Sequence, residues 1–308
     1  MRKKIIRMLI ILVVLIQLMA IFHAYRFTHF QTTHHGKTKL ENMNSTLSRL
    51  AVLVFGVNNP RPENTTRPTM PFQTVFVGEE RELETWMLNQ ESTRGTVIMF
   101  HGYGGNKSGM VEKGTFFAKN GYRVMLVDFM GSGGSKGNQT TIGYKEANQV
   151  TRCFHYIRHY YEGDVFLMGN SMGAAAILRA IAVDTIQPDK IILESTFATL
   201  QTAVNARFRK MNLPTIPLSQ ILVFWGGIEN GFWGFNHQPY RYAKKVHCPT
   251  LVIYGLEDER VTQHETDQIL DNLKDERYLP LKETGHNVNL SECKNTWEKE
   301  VQRFLSGN

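Results

Sequence analysis

Cysteine is scarce in this chain. Cys153, Cys248 and Cys293 are too few, and odd in number, for a disulfide framework in 308 residues. No Cys/His cluster has metal-ligand spacing, so neither a zinc site nor any other metal centre is expected. Internal repeats and low-complexity tracts are absent as well. Stability must therefore come from ordinary burial, and 308 residues at 42% hydrophobic composition supply ample material for a core. Excess positive charge is also missing from most of the chain. The formal net charge is +7, yet residues 1–70 hold ten Lys and Arg against two Asp and Glu, while residues 71–308 hold 25 against 26. The larger part is neutral, without the basic patch that nucleic acid would need as a partner.

The basic excess belongs to the N-terminus. Met1-Arg2-Lys3-Lys4-Ile5-Ile6-Arg7 precedes an almost purely apolar run from Met8 to Tyr25, broken only by Gln17 and His23. Eighteen helical residues span roughly 27 Å, near the lower limit for crossing a bilayer. The basic flank predicts a cytoplasmic N-terminus and places the remainder outside the cytoplasm. A cleaved signal peptide needs small residues at a defined site, and Leu18-Met19-Ala20 and Phe22-His23-Ala24 are only fair matches. A retained anchor over residues 1–25 explains the long run better, with the secreted or periplasmic form as the alternative.

Residues 26–71 are polar and end in Pro60, Pro62, Pro68 and Pro71, which reads as a stalk, with a short helix from Leu47 to Val57. From residue 72 onward strands and helices alternate. Thr74–Val77 and Arg81–Asn89 form an expected hairpin. Apolar runs at Thr96–Phe100, Tyr122–Asp128, Val165–Met168, Lys190–Glu194, Thr250–Tyr254 and Arg277–Lys282 read as strands. Helical stretches fall at Lys107–Asn120, Ile142–Tyr161, Met172–Val183, Gln263–Leu273 and Ser291–Leu305. Such alternation predicts one α/β domain over 72–308, a mostly parallel eight-stranded sheet with helices on both faces. Residues 197–247 break the rhythm with Phe224-Trp225-Gly226-Gly227 and Phe232-Trp233-Gly234-Phe235. An insert that long in such a domain reads as a lid or pocket wall, against the plainer reading of two packing helices and a loop.

The residues with chemistry sit at expected strand ends. Gly169-Asn170-Ser171-Met172-Gly173 lies between a buried strand and the strong helix former Ala174–Ala180. Strand, strained turn and helix with serine at the apex is a nucleophile elbow. Serine needs a base, and the base an orienting acid. The acid follows the strand at 250–254. Glu257 and Glu259 flank Asp258, which is preferred because it stands three residues past Gly255 and three before Val261. Only His264 and His286 lie beyond it. His264 is six residues on at a helix start, too close to be the distant partner, which leaves His286. A carboxylate capping the next helix and a histidine in a surface loop are the bland alternatives. For an oxyanion the expected donors are two backbone amides, Met172 after the serine and Tyr103 in the glycine-rich loop His101–Gly105. His101 reads as a loop pin, and Asp128 as a carboxylate bonded to backbone.

Taken together, His101–Gly105, Asp128–Ser135, Gly169–Gly173, Gly255–Val261 and Gly285-His286 resemble the α/β-hydrolase superfamily, nearest its small esterase and serine-aminopeptidase-like branches. The resemblance covers about residues 72–308. It implies a Ser171–Asp258–His286 triad and an acyl-enzyme mechanism without cofactor. One departure is Phe129-Met130-Gly131, where Arg-Gly is usual after the aspartate. The expectation is a membrane-anchored serine hydrolase of carboxylic esters, taking a small-molecule or lipid-like acyl substrate. A peptidase or amidase of the same fold is the alternative within enzymes, and a non-catalytic binding protein the alternative outside them.

Overall fold

The computed structural model of the chain describes residues 1–32, 36, 38, 52, 55–89, 91 and 94–307. In chain order its elements are α1 (Arg2–Thr28), β1 (Phe72–Val77), β2 (Leu83–Leu88), β3 (Thr96–Phe100), α2 (Val111–Lys119), β4 (Arg123–Val127), α3 (Glu146–Tyr160), β5 (Val165–Asn170), α4 (Met172–Asp184) and β6 (Lys190–Glu194). There follow α5 (Leu200–Lys210), α6 (Leu218–Glu229), α7 (Pro239–Ala243), β7 (Thr250–Gly255), α8 (Gln263–Leu270), β8 (Glu276–Leu281) and α9 (Leu290–Ser306). Contacts divide the chain into two compact units. One contains Met1–Pro60 with Leu200–His237, the other Arg61–Thr199 with Gln238–Asn308.

The second unit is built on one eight-stranded sheet in the order β1-β2-β4-β3-β5-β6-β7-β8. β1 and β2 join antiparallel, β2 meets β4 antiparallel, and every later pairing is parallel. Interior parallel strands are covered on both faces, so they read as unbroken apolar runs rather than alternating ones. Val97–Phe100, Val124–Val127 and Val165–Leu167 are buried at every position. Among the described residues β8 pairs with β7 alone, and it accommodates Pro280, a residue an interior strand excludes. On one face Phe117 of α2 and Trp297 of α9 anchor the core, ring centroids 5.9 Å apart. α3 and α4 pack on each other, and α4 lies along β5.

Two helices start later than their apolar periodicity suggests. The stretch from Lys107 opens with a 3-10 turn, Lys107–Met110, and α2 begins only at Val111. The stretch from Ile142 becomes helical at Glu146, because Glu146 gathers the preceding loop around its carboxylate. Its oxygens accept from Thr140 Oγ1 at 2.7 Å, Thr141 N at 2.9 Å, Thr141 Oγ1 at 2.6 Å and Gly143 N at 3.0 Å.

In the first unit α1 runs from its basic start, with Ile5–Leu15 exposed and Ala24 and Thr28 buried. Its mean hydropathy reaches 2.8 over 18 residues, and by length and composition it can cross a membrane. The half of α1 nearer its C-terminus packs on α6, and α6 packs on α5. The helix expected from Leu47 to Val57 falls largely outside the described residues.

Candidate active site

Parallel strands deliver their C-terminal ends to a single rim. Register places Asn170 opposite Glu194 and Glu194 opposite Ile253, while Gly255 pairs with Leu281. Ser171 follows β5, Asp258 follows β7 and His286 follows β8, so all three leave the sheet at this rim.

Ser171 has φ 49° and ψ −106°, the strained apex of a tight turn. Its N–H donates to Glu194 O at 2.8 Å and its carbonyl accepts from Ala175 N at 3.0 Å, so both sides of the turn are tied. Glycine is required on either flank. A Cβ at Gly173 would run into the Phe100 carbonyl, and one at Gly169 into the Ala174 amide. The loop at 101–105 also presses on the elbow. A Cβ at Gly102 would stand 2.7 Å from Asn170 Oδ1 and 3.6 Å from Ser171 Cβ.

His286 Nδ1 and Asp258 Oδ2 are 2.8 Å apart, with the Asp258 side chain fully buried and His286 only 11% exposed. Asp258 is held from its other oxygen, which accepts from Arg260 N at 2.7 Å and Val261 N at 3.0 Å. Its neighbours Glu257 and Glu259 are exposed. His264 is exposed at the start of α8. Among the described residues no hydrogen bond joins Ser171 Oγ to His286. Asp258 and His286 are brought together; the serine shares their rim without closing the bond.

The loop bearing Tyr103 is fixed by two buried side chains. Phe129 N donates to His101 Nε2 at 3.1 Å, which leaves Nδ1 to carry the proton and donate to Gly102 O at 2.8 Å. Burial pushes the His101 imidazole below its ordinary pKa, so it stays neutral. Asp128 Oδ1 accepts from Lys107 N at 2.7 Å, and Oδ2 accepts from Asn64 Nδ2 at 2.8 Å, from Gly134 N at 3.0 Å and from Lys107 Nζ. Burial works against the Asp128 carboxylate, but the Lys107 charge and the hydrogen bonds from Lys107 and Asn64 hold its pKa below the usual range. Lys107 is fully buried between Asp128 and Glu84, 2.7 Å from the latter. Met172, at the head of α4, is backed by the Glu146 cluster: Thr140 Oγ1 is 3.3 Å from its sulfur, and a Cβ at Gly143 would come within 2.9 Å of its carbonyl.

Lys107, Glu146, Asn64 and Glu194 are supports that sequence reasoning did not single out. Glu194 is 1% exposed, paired with Lys113 at 2.6 Å and with Trp297 Nε1 at 2.8 Å. A charged residue inside or beside an apolar run, as at Glu194 after Ile191–Leu193, is the available signal for such a support. Among the described residues no group of three His, Cys, Asp or Glu can hold a metal, and the three cysteines are free. Burial pushes the Cys248 thiol up to about 12.

Eight strands in this order, a serine elbow after β5 and a carboxylate–histidine pair after β7 and β8 define one architecture. The chain has the α/β-hydrolase fold. Residues 91–223, less than half of it, match the family model described as serine aminopeptidase, S33. An uncharacterized Bacillus subtilis protein, YqkD, is 24% identical over 229 residues, covering 73% of this chain and 75% of its own. A Pyrococcus furiosus esterase superposes with a TM-score of 0.66 at 21% identity, over 80% of this chain and 96% of that one. A bacterial membrane phospholipase A superposes at 0.55 and 17% identity, over 77% and 86% of the two chains. The α/β-hydrolase rim therefore sets the frame for the chemistry.

Proposed function

We propose that this α/β-hydrolase is a membrane-anchored serine hydrolase of carboxylic esters, with Ser171 as nucleophile, His286 as base and then acid, and Asp258 as the orienting carboxylate. The observation that carries this reading is the 2.8 Å pairing of His286 Nδ1 with Asp258 on the rim where the elbow presents Ser171. Asp258 keeps the Nδ1 proton in place, and the Nε2 lone pair is then free to take a proton. The Ser171–His286 bond closes when substrate binds, because catalytic hydrogen bonds often tighten only in the substrate complex.

Ser171 Oγ attacks the acyl carbon as its proton passes to His286 Nε2. Charge developing on the carbonyl oxygen is met by the Tyr103 and Met172 amides, each of the kind whose loss costs on the order of 10²–10³ in kcat. His286 returns the proton to the departing alkoxide, leaving an acyl-serine. Water then repeats the sequence and releases the acid. No cofactor takes part in these steps.

The esterase and phospholipase among the structural neighbours support a small-molecule or lipid-like acyl substrate. The basic start and apolar body of α1 support an anchor with its N-terminus in the cytoplasm and the catalytic residues outside. Cleavage of α1 as a signal peptide would leave a secreted or periplasmic enzyme. The match to an aminopeptidase family favours a second reading, amide or peptide hydrolysis by the same residues.

The test is turnover of p-nitrophenyl acyl esters beside aminoacyl-p-nitroanilides by the parent and His286→Ala. Ester turnover that the substitution abolishes is expected. Faster anilide turnover would install the peptidase reading, and ester turnover untouched by His286→Ala would remove both.

A further inference from the structure

The apolar half of α6 has no role in the reaction above. Ile221-Leu222-Val223-Phe224-Trp225-Gly226-Gly227-Ile228 carries no charge, Ile228 is exposed, and so are Ile216 before the helix and Trp233 after it. In water Ile216, Ile228 and Trp233 leave apolar surface uncovered. Within the same unit it is continuous with α1, and the geometry of that contact is informative.

α1 has one exposed and one docked part. Ile5–Leu15 is exposed throughout, eleven residues that cover about 16 Å, roughly half of a ~30 Å hydrocarbon core. A spanning α1 must cross the remaining depth with residues 16–25, and that is the stretch on which α6 packs. Gln17 sits there, a polar side chain inside the apolar run. Its Oε1 accepts from Trp225 Nε1 at 2.7 Å, the partner that an amide needs where water is absent. Close approach follows from small residues: a Cβ at Gly226 would lie 3.8 Å from the Ala24 Cβ.

Between the two helices and the end of α5 lies a cavity of about 80 Å³, walled by Ile16, Ala20, Phe27, Phe208 and Leu222, with His23 the one polar residue among the described residues that line it. Such a wall suits a hydrocarbon chain. At its end Arg207 stacks on the Phe27 ring at 5.2 Å, one residue before α1 stops, and Arg209 and Lys210 follow on α5. This places positive charge at the level where α1 leaves the hydrocarbon, matched to a lipid phosphate.

We propose that α6 is immersed beside α1 in the non-cytoplasmic leaflet, and that the groove between them takes one acyl chain of a bilayer phospholipid. The proposal rests on α1 being retained as a spanning anchor. It is independent of which bond the enzyme cleaves.

The probes are already in the chain. Of the four tryptophans, Trp86 and Trp297 are buried in the sheet unit, whereas Trp225 and Trp233 belong to this one. The full chain is reconstituted into phosphatidylcholine–phosphatidylglycerol vesicles, with bromine either absent from the acyl chains or placed along them. Brominated vesicles are expected to quench the parent, and the quenching should fall several-fold in the Trp225→Phe/Trp233→Phe variant. Native mass spectrometry of the protein released from the vesicles is expected to show one bound phospholipid, lost in Ala20→Phe, a variant that still floats with vesicles.

Failure of the parent to float would overturn the anchor reading itself. Flotation with quenching equal in parent and double variant would leave the anchor standing and overturn immersion of α6. Quenching as expected, but with a free fatty acid, a second copy of the chain or nothing in the groove, would overturn the assigned occupant.

Discussion

At the scale of single residues the proposed chemistry rests on proton positions. Asp258 holds Nδ1–H of His286, and Asp258→Asn would stabilise the wrong tautomer; kcat should fall on the order of 10⁴ with KM little changed, measured on a p-nitrophenyl ester. His101 makes a prediction about stability. Burial lowers its pKa in the folded chain, so below about pH 6.5 the unfolded chain binds a proton that the folded chain refuses. Stability contributed by the neutral ring is thus lost as pH falls through that value. The urea midpoint should drop between pH 7.5 and 5.5, and drop less in His101→Gln. Chain order was enough to nominate Ser171, Asp258 and His286, because the fold dictates which strand ends carry them. The supports were not legible. Asn64 reaches Asp128 across 64 positions and Lys107 reaches Glu84 across 23, distances over which no local pattern speaks.

Among elements, the elbow is the most constrained. Gly173→Ala drives a Cβ into the Phe100 carbonyl, backbone that has no freedom to move aside. The variant should lose several kcal/mol of stability by denaturant titration, in line with overpacking and backbone strain, and lose activity with it. The Asp128 cluster carries a smaller cost. Asp128→Asn keeps Lys107 paired with Glu84 but sets an amide NH2 against donors that now meet a carboxylate oxygen, a loss of about 1–3 kcal/mol by the same titration. Strands were the legible elements, because a parallel strand buried on both faces announces itself as an apolar run. Helix starts were less so: Thr140–Gly143 spends its polar groups on Glu146 rather than on a first helical turn, and periodicity alone extended α3 back to Ile142.

On the scale of the whole molecule, the sheet unit was readable from alternation, and α1 from its hydropathy. The grouping of α5 and α6 with the N-terminal helix was not readable, since nothing in residues 200–237 signals a partner nearly two hundred positions away. An anchor predicts that the full chain stays with the membrane pellet after alkaline carbonate extraction, while a chain cleaved near Ala24 would appear in the supernatant. The same serine must react in either case. Incubation with a fluorophosphonate followed by peptide mass spectrometry tests this most directly. One adduct is expected, on Ser171, lost in Ser171→Ala and strongly reduced in His286→Ala. An adduct on another serine, or none in a folded chain that hydrolyses esters, would contradict the assignment of Ser171.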